Sequence, residues 1–212
     1  MKNLNQLLTK IIFILVIIAG VKFFYDYKAS SKQQRGSKDL YSHLGGDFIL
    51  HSHDKKDKKG EKGKFTLKDL KGKPSILYFG FTSCPDICPI ALSRLNRAID
   101  KIDPKLHNQI HKVFISVDYK RDPPERVDEY AKHFGNFIGL TGNKEEIEAM
   151  TKAYAVHFEF VELKDSAMKY TVDHTSRFYL LDRQGKIVNS FSDLDEASGF
   201  KENLQETLKE SL

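Results

Sequence analysis

The stretch that decides the fold is SILYFGFTSCPDICP, residues 75–89. Ser75 to Phe81 is a nearly continuous apolar run of the kind that forms a strand buried on both faces of a sheet. The run ends in a short loop that carries Cys84 and Cys88, each followed directly by a proline. Pro89 can be the first residue of a helix, because a proline loses no hydrogen bond there. The stretch therefore predicts a strand, a cysteine loop and a helix in direct succession.

Strands and helices alternate along the rest of the chain. The apolar pattern predicts short strands at residues 48–50, 65–67, 113–117, 137–140, 158–161, 178–181 and 186–191. Further helices are predicted to begin near Pro124 and after Asn143, and a last helix to run from about Glu196 to Leu208. Asp182 to Gly185 is a hairpin turn pattern between the last two strands. This order predicts an α/β fold with a mixed sheet flanked by helices.

The N-terminal 28 residues differ from the rest and predict a membrane anchor. Ile11 to Val21 is uncharged, and the apolar stretch from Leu7 to Phe24 is long enough to cross a bilayer if the two lysines within it reach the head groups. A cleaved signal peptide is the alternative, but no A-x-A-like cleavage site follows the run. We therefore expect an uncleaved helix spanning about residues 7–24.

The remaining residues divide into a polar tether at 29–42 and one domain at 43–212. The formal net charge is +5 and the sequence pI is about 9.0. Much of this excess lies in residues 51–64, which hold six lysines against three acids and are predicted to form a solvated loop. No basic stripe interleaved with aromatic residues occurs elsewhere, so nucleic-acid binding is not expected.

Cys84 and Cys88 are the only cysteines in the 212 residues. Two close thiols can form a disulfide, exchange one, or hold a soft metal ion. Unused cysteines would more often lie apart in the core, and the flanking prolines and the turn argue against that alternative. The loop follows the carboxyl end of a buried strand, where open α/β sheets place their sites, and the following helix N-terminus favours thiolate.

The spacing of the two cysteines favours metal binding over a simple redox pair. Cys-x-x-x-Cys is one residue wider than the usual redox dithiol and fits two sulfurs that point at a common centre. Two thiolates can hold Cu(I), and a third ligand would make a durable site that also admits Cu(II). His174 is a candidate, because it lies in YTVDHTS, residues 170–176, just before a predicted buried strand. Solvated or structural roles are predicted for the other histidines: His43, His51, His53, His107, His111, His133 and His157.

Several motifs in a fixed order resemble the Sco/SenC family. They are FGFTSCPDICP at 79–89, ISVD at 115–118, RDPPE at 121–125, and VDHT at 172–175 leading into YLLD. The resemblance runs from Gly45 to near the C-terminus. It implies a thioredoxin-like, peroxiredoxin-related fold with an N-terminal β-hairpin extension. It also implies a role in building the dinuclear copper A centre of cytochrome c oxidase.

The resemblance identifies Cys84, Cys88 and His174 as the ligands of copper, as Cu(I), Cu(II) or both. Asp86 and Asp118 match acidic family positions near the site and are expected to be its neighbours or to face a partner. Ser83 stands where many relatives carry histidine, which removes a possible auxiliary ligand. The expected partners are the oxidase subunit that bears the copper A site, a periplasmic copper donor or thiol reductase, and the membrane.

Two other functions remain open at the level of sequence. A thiol–disulfide oxidoreductase acting on the cysteines of a target copper site would use Cys84 to attack and Cys88 to resolve the mixed disulfide. A peroxidase would oxidise one cysteine to sulfenic acid and would not need the two thiols so close. Copper carriage, which is not itself catalysis, is favoured because the oxidoreductase gives His174 no required role.

The N-terminus also predicts the compartment. Only ten residues precede the apolar run, with two lysines and no arginine, which is too little for a mitochondrial presequence. We therefore expect a bacterial inner-membrane protein with its soluble domain in the periplasm. In that oxidising space the two thiols would need active reduction before they could bind Cu(I).

Overall fold

The computed structural model describes residues 43–56, 62–192 and 198–209, together with residues 13, 17–22, 24, 41 and 194. The chain divides into two units, Met1–Leu40 and Tyr41–Leu212. The predicted anchor and tether lie largely outside the described residues. Where the first unit is described it is helical, and large apolar side chains such as Phe13 and Ile18 are exposed. Among the described residues, no helix combines the length and apolar character needed to cross a membrane.

The second unit contains nine strands and four α-helices within its described part. The strands are β1 (Ile49–Lys56), β2 (Lys62–Thr66), β3 (Ser75–Gly80), β4 (His111–Ser116), β5 (Phe137–Leu140), β6 (Phe158–Glu162), β7 (Tyr170–His174), β8 (Phe178–Leu181) and β9 (Ile187–Phe191). The helices are α1 (Ile87–Ile102), α2 (Pro124–His133), α3 (Lys144–Ala153) and α4 (Phe200–Lys209). Short 3₁₀ helices lie at Leu67–Leu70 and Pro104–Asn108.

A five-stranded sheet in the order β5-β4-β3-β8-β9 forms the centre of this unit. β3 pairs in parallel with β4 and antiparallel with β8, and every residue of β3 is buried. Leu92, Leu95 and Ile99 form the buried face of α1, as their helical spacing predicts. The predicted α/β class with a mixed sheet is therefore confirmed, and the carboxyl end of its central strand leads into the cysteine loop.

Local sequence chemistry explains where two of the helices begin. Pro124 is the first residue of α2, where its missing N–H costs no hydrogen bond. Asn143 caps α3: its side chain accepts from the Glu146 N–H, and the Glu146 carboxylate accepts from the Asn143 N–H. Both helix starts match the sequence prediction.

Three predicted boundaries are wrong. α1 begins at Ile87 rather than Pro89, so that Cys88 lies on the helix. Residues 51–56 and 62–64, predicted to be loop, belong to the β1–β2 hairpin, because strand pairing outweighs the charge pattern. His174, predicted in a loop, is the last residue of β7. The last helix is described over Phe200–Lys209, and its predicted start at about Glu196 lies outside the described residues.

One predicted strand lies outside the central sheet. β6 pairs only with β7 among the described strands, in a separate two-stranded sheet. The register places Phe158 opposite His174. This β6–β7 hairpin therefore carries the candidate histidine on an element distinct from the one that carries the cysteines.

Candidate metal centre

The two thiols of the motif differ in their surroundings. Cys84 lies in the loop after β3 and is half-buried, whereas Cys88 lies in the first turn of α1 and is fully buried. They are not joined by a disulfide in this structure. The Cys88 N–H points at the Cys84 sulfur at 3.4 Å. A partner can therefore reach Cys84 directly, whereas Cys88 is closed to solvent.

His174 contacts Cys88, although the two residues lie 86 positions apart in the sequence. Its Nε2 lies 3.7 Å from the Cys88 Sγ. Two ligands of one metal ion, at roughly 2.3 Å for sulfur and 2.0 Å for nitrogen, lie roughly 3.5–4 Å apart. The separation of these two atoms therefore suits shared coordination of one ion.

The imidazole of His174 is held in an orientation that suits a ligand. Its Nδ1 donates to the Thr175 carbonyl at 3.2 Å, which leaves Nε2 with its lone pair toward the thiol. The rings of Tyr78 and Phe81 meet it edge to face. Burial lowers the pKa of His174, so the neutral form, which binds metal, is favoured at neutral pH.

Cys84 is the third residue of the predicted set of copper ligands. Within the described residues, no three His, Cys, Asp or Glu side chains are grouped closely enough, as they stand, to hold a metal ion. The structure therefore brings together Cys88 and His174 as a pair, with Cys84 in the adjoining loop. Its sulfur is near enough for its charge to raise the pKa of His174, against the larger effect of burial.

Hydrogen bonding makes Cys84 the acidic thiol of the pair. The Cys88 thiol donates to the Cys84 sulfur and, with the backbone N–H groups of Cys88 and Asp86, lowers the pKa of Cys84 to about 5 despite partial burial. The same hydrogen bond and the burial of Cys88 raise the pKa of Cys88. Near neutral pH the site therefore holds one thiolate at its surface and one protonated thiol beneath it.

This difference predicts the pH dependence of alkylation. Only a thiolate reacts, so Cys84 should react with iodoacetamide at full rate above about pH 6 and at half that rate near pH 5. Mass spectrometry of protein quenched at each pH would give the profile. Cys88→Ala should move the midpoint to higher pH, because it removes the largest cause of the low pKa. A midpoint near 8 to 9 in the wild-type protein would contradict this assignment.

The close approach of β3 to α1 leaves no room for a side chain at Gly80. A Cβ there would lie 2.7 Å from the Cys88 Sγ and 2.9 Å from Cε2 of Phe114. Cys88 and Phe114 are both fully buried, so neither can move aside at low cost. Glycine at this position is therefore required for the place that Cys88 occupies.

Asp122 holds the start of the cysteine loop. Its buried carboxylate accepts from the N–H of Thr82 at 2.8 Å and from the Thr82 hydroxyl at 2.6 Å. It also accepts from the hydroxyl of Ser116, at the end of β4. Arg126 extends this network to the hydroxyls of Thr82 and Ser83. The backbone just before Cys84 is thus fixed to the central sheet.

Asp118 has a corresponding function for the hairpin that carries His174. It is fully buried, accepts from Arg121 Nε at 2.6 Å and from the Tyr170 hydroxyl at 2.8 Å, and does not face a partner. Arg121 also donates to the carbonyls of Met168 and Tyr170. Asp118 and Arg121 therefore attach the β6–β7 hairpin to the end of β4.

Asp86, Ser83 and two of the other histidines have the following surroundings. Asp86 is exposed at the start of α1, where its N–H points at Cys84. The Ser83 hydroxyl accepts a hydrogen bond from Arg126. His51 and His53, predicted to be solvated, lie on β1 beside Glu146 and Glu125, at 3.1 and 3.8 Å.

Sequence reasoning missed the supporting residues Asp122, Arg121 and Tyr78. The first two belong to the RDPPE motif, whose position between β4 and a Pro-led helix was visible but carried no assigned role. Tyr78 lies in an all-buried strand, where nothing in the pattern distinguishes it from its apolar neighbours. Their roles depend on contacts between residues distant in sequence.

A family model described as SCO1/SenC matches residues 37–209. The chain belongs to the SCO1/SenC family. An SCO2-like protein of Rickettsia felis is 38% identical over 189 residues, which cover 86% of this chain and 88% of that protein. Yeast mitochondrial SCO2 is 41% identical over 160 residues, 74% of this chain. This match spans 51% of that longer protein.

Solved structures of Sco proteins share the fold of the second unit. Copper-bound ScoI of Arabidopsis thaliana aligns with a TM-score of 0.66 at 38% identity, covering 79% of this chain and all but 1% of that one. The thioredoxin-like architecture expected from the Sco/SenC resemblance is thus supported by structure as well as by sequence.

Proposed function

We propose that this Sco protein carries copper on Cys84, Cys88 and His174 and assists assembly of the copper A centre of cytochrome c oxidase. The observation that carries the proposal is the 3.7 Å approach of His174 Nε2 to Cys88 Sγ beside a second, acidic thiol. Two thiolates and one imidazole form a soft donor set that suits copper in both oxidation states. Rotation of the half-buried Cys84 side chain toward this pair would complete the three-ligand set.

The difference between the two thiols suggests an order of transfer. Copper is the cargo, and an incoming thiolate of the receiving protein would first replace the accessible Cys84. Cys88 and His174 would hold the ion until a second thiolate arrives. Two large apolar side chains next to the motif, Ile87 and Ile90, are 50% and 44% exposed, as is common where one protein meets another.

Family membership supports both the metal and the recipient. The related ScoI of Arabidopsis has been solved with copper bound, and the Sco/SenC resemblance implies oxidase assembly. The oxidase subunit that bears the copper A site is therefore the proposed recipient. A periplasmic copper donor or thiol reductase would load or reduce the site.

We also propose that the first unit anchors the domain to a bacterial inner membrane, with the domain in the periplasm. The apolar run at residues 7–24 and the exposed apolar side chains of its described positions support the anchor. Relatives occur both in a bacterium, Rickettsia felis, which matches 86% of this chain, and in yeast mitochondria, so they support either inner membrane.

Thiol–disulfide exchange is the second candidate function. A half-buried thiol with a pKa of about 5 next to a fully buried thiol of raised pKa is the arrangement of an attacking and a resolving cysteine. Reduction of the recipient's cysteines would itself prepare them for copper. The two functions can therefore serve one assembly step.

Copper loading and transfer test the proposal directly. The full-length protein, in detergent and reduced under anaerobic conditions, should bind one Cu(I) per chain by metal analysis. It should then pass that copper to a reduced soluble domain bearing the copper A site. Retention of less than a tenth of an equivalent of copper would refute copper carriage. Catalytic reduction of the oxidised recipient, unaffected by copper, would support the second function instead.

A further inference from the structure

The hydroxyl of Tyr78 is a buried polar group beside the candidate site. Tyr78 is 1% exposed, and its hydroxyl has no hydrogen-bond partner of good geometry among the described residues. A buried hydroxyl without a partner costs free energy, so such a group calls for an explanation. Nothing in the sheet requires a hydroxyl there, because the ring itself is packed on Phe178 with centroids 4.9 Å apart.

The surroundings of this hydroxyl include the second thiol. Interaction with Cys88 contributes to the raised pKa of Tyr78, although burial is the larger cause, and Ser176 lies beside the same hydroxyl. The position that a Cβ of Gly80 would occupy lies 2.7 Å from Cys88 Sγ and 3.3 Å from Tyr78 Cε1. The ring of Tyr78 and the sulfur of Cys88 therefore lie on the same side of β3.

The two thiols receive very different support from the protein. Cys84 accepts hydrogen bonds from the Cys88 thiol and from two backbone N–H groups. Once a partner or copper takes the Cys84 sulfur, Cys88 must carry negative charge in a fully buried position. The hydrogen bond to Cys84 and burial raise the pKa of Cys88, whereas the Phe81 backbone N–H and the Tyr78 hydroxyl act to lower it. Tyr78 is the side chain placed to offset that burial.

We propose that the Tyr78 hydroxyl donates a hydrogen bond to the Cys88 sulfur whenever that sulfur acts as a thiolate, either as a copper ligand or as the resolving nucleophile. Tyr78 is thus a positioning residue that acts through Cys88. The copper half of this inference rests on the proposed function, whereas the thiol half holds without any metal.

The thiol half is defined by one balanced reaction. When Cys84 is bonded to a partner's sulfur, the Cys88 thiolate, having given its proton to solvent, attacks the Cys84 sulfur. The Cys84–Cys88 bond forms, the bond to the partner's sulfur breaks, and the partner leaves as a thiolate. Charge on Cys88 is present at the start of this step, so a hydrogen bond to it raises the concentration of the reacting form.

Stopped-flow reaction of the full-length reduced protein with 5,5′-dithiobis(2-nitrobenzoate) tests this proposal. The first thionitrobenzoate is released when Cys84 attacks, and the second when Cys88 resolves the mixed disulfide. Tyr78→Phe should slow the second release about tenfold, the factor for one hydrogen bond to a charged group, and leave the first unchanged. An unchanged second release, or equal slowing of both, would overturn the proposal.

Tyr179→Phe is the matched control. Tyr179 is also buried, but it pairs with Leu77 in the register, whereas Phe178 pairs with Tyr78, so it lies on the opposite face of the sheet. Tyr179→Phe should leave the rates of both thionitrobenzoate releases unchanged. In the Cu(II) complex, Tyr78→Phe should move the thiolate-to-copper absorption to longer wavelength, because the sulfur becomes a stronger electron donor. If the wild-type protein binds no copper, the proposed function fails, and the thiol kinetics still decide the role of Tyr78.

Discussion

Replacement of His174 by alanine is expected to lower the affinity for Cu(II) by about 100-fold or more, at roughly 3 kcal/mol for one ligand of a metal site. The affinity for Cu(I) should fall far less. Cu(I) is satisfied by two thiolates, whereas Cu(II) prefers an additional nitrogen ligand. His174 Nε2 is the group that faces Cys88 Sγ, at 3.7 Å, so its loss removes the nitrogen ligand.

Competition titrations with chelators of known affinity for each oxidation state would measure this split. His157→Ala is the control, because His157 lies just before β6 on the same hairpin but is exposed. It should bind both ions as the wild type does. Equal losses for Cu(I) and Cu(II) in His174→Ala would indicate collapse of the hairpin, and no loss of Cu(II) would exclude His174 as a ligand.

Asp122→Ala is expected to cause the largest loss of stability among the residues around the site. It removes the acceptor for the Thr82 N–H, the Thr82 hydroxyl and the Ser116 hydroxyl. The Asp122 side chain is fully buried, so water does not readily take its place as the hydrogen-bond acceptor. We expect the free energy of unfolding to fall by about 3 kcal/mol or more, since buried donors lose a charged acceptor. For a chain of this size the midpoint temperature should fall by about 6–12 °C.

Asp54→Ala provides the comparison for a surface carboxylate. Asp54 is 61% exposed and pairs with Lys132, so its loss should cost at most about 1 kcal/mol. Thermal unfolding followed by circular dichroism would separate the two variants. A drop of less than 2 °C for Asp122→Ala would show that the loop before Cys84 is held by other contacts.

The central features of the fold were predictable because they depend on local pattern. The nearly continuous apolar run at residues 75–81 is typical of a strand buried on both faces, and Pro124 and Asn143 define helix starts by their own chemistry. The same reasoning placed both thiols at the carboxyl end of β3. The start of α1 was missed by two residues, because a proline is tolerated throughout the first turn and marks its start only approximately.

The position of His174 and its support were not predictable in the same way. Nothing local shows that β6 and β7 leave the central sheet, since strand pairing is decided by contacts between distant residues. The buried pair of Asp118 and Arg121 resembles any exposed ion pair when seen in sequence. The family resemblance supplied the identity of the third candidate ligand, and the structure supplied the reason why it faces Cys88.

The β6–β7 hairpin is a less stable part of the site than the five-stranded sheet. A two-stranded sheet is only marginally stable by itself, and the hairpin depends on its contacts with the end of β4 for much of its order. Opening of such an element takes less free energy than opening of the five-stranded sheet. In the proposed order of transfer, His174 would therefore leave the ion more easily than Cys88 once Cys84 has been replaced. Opening of this hairpin would then set the time at which the pair of Cys88 and His174 gives up the cargo.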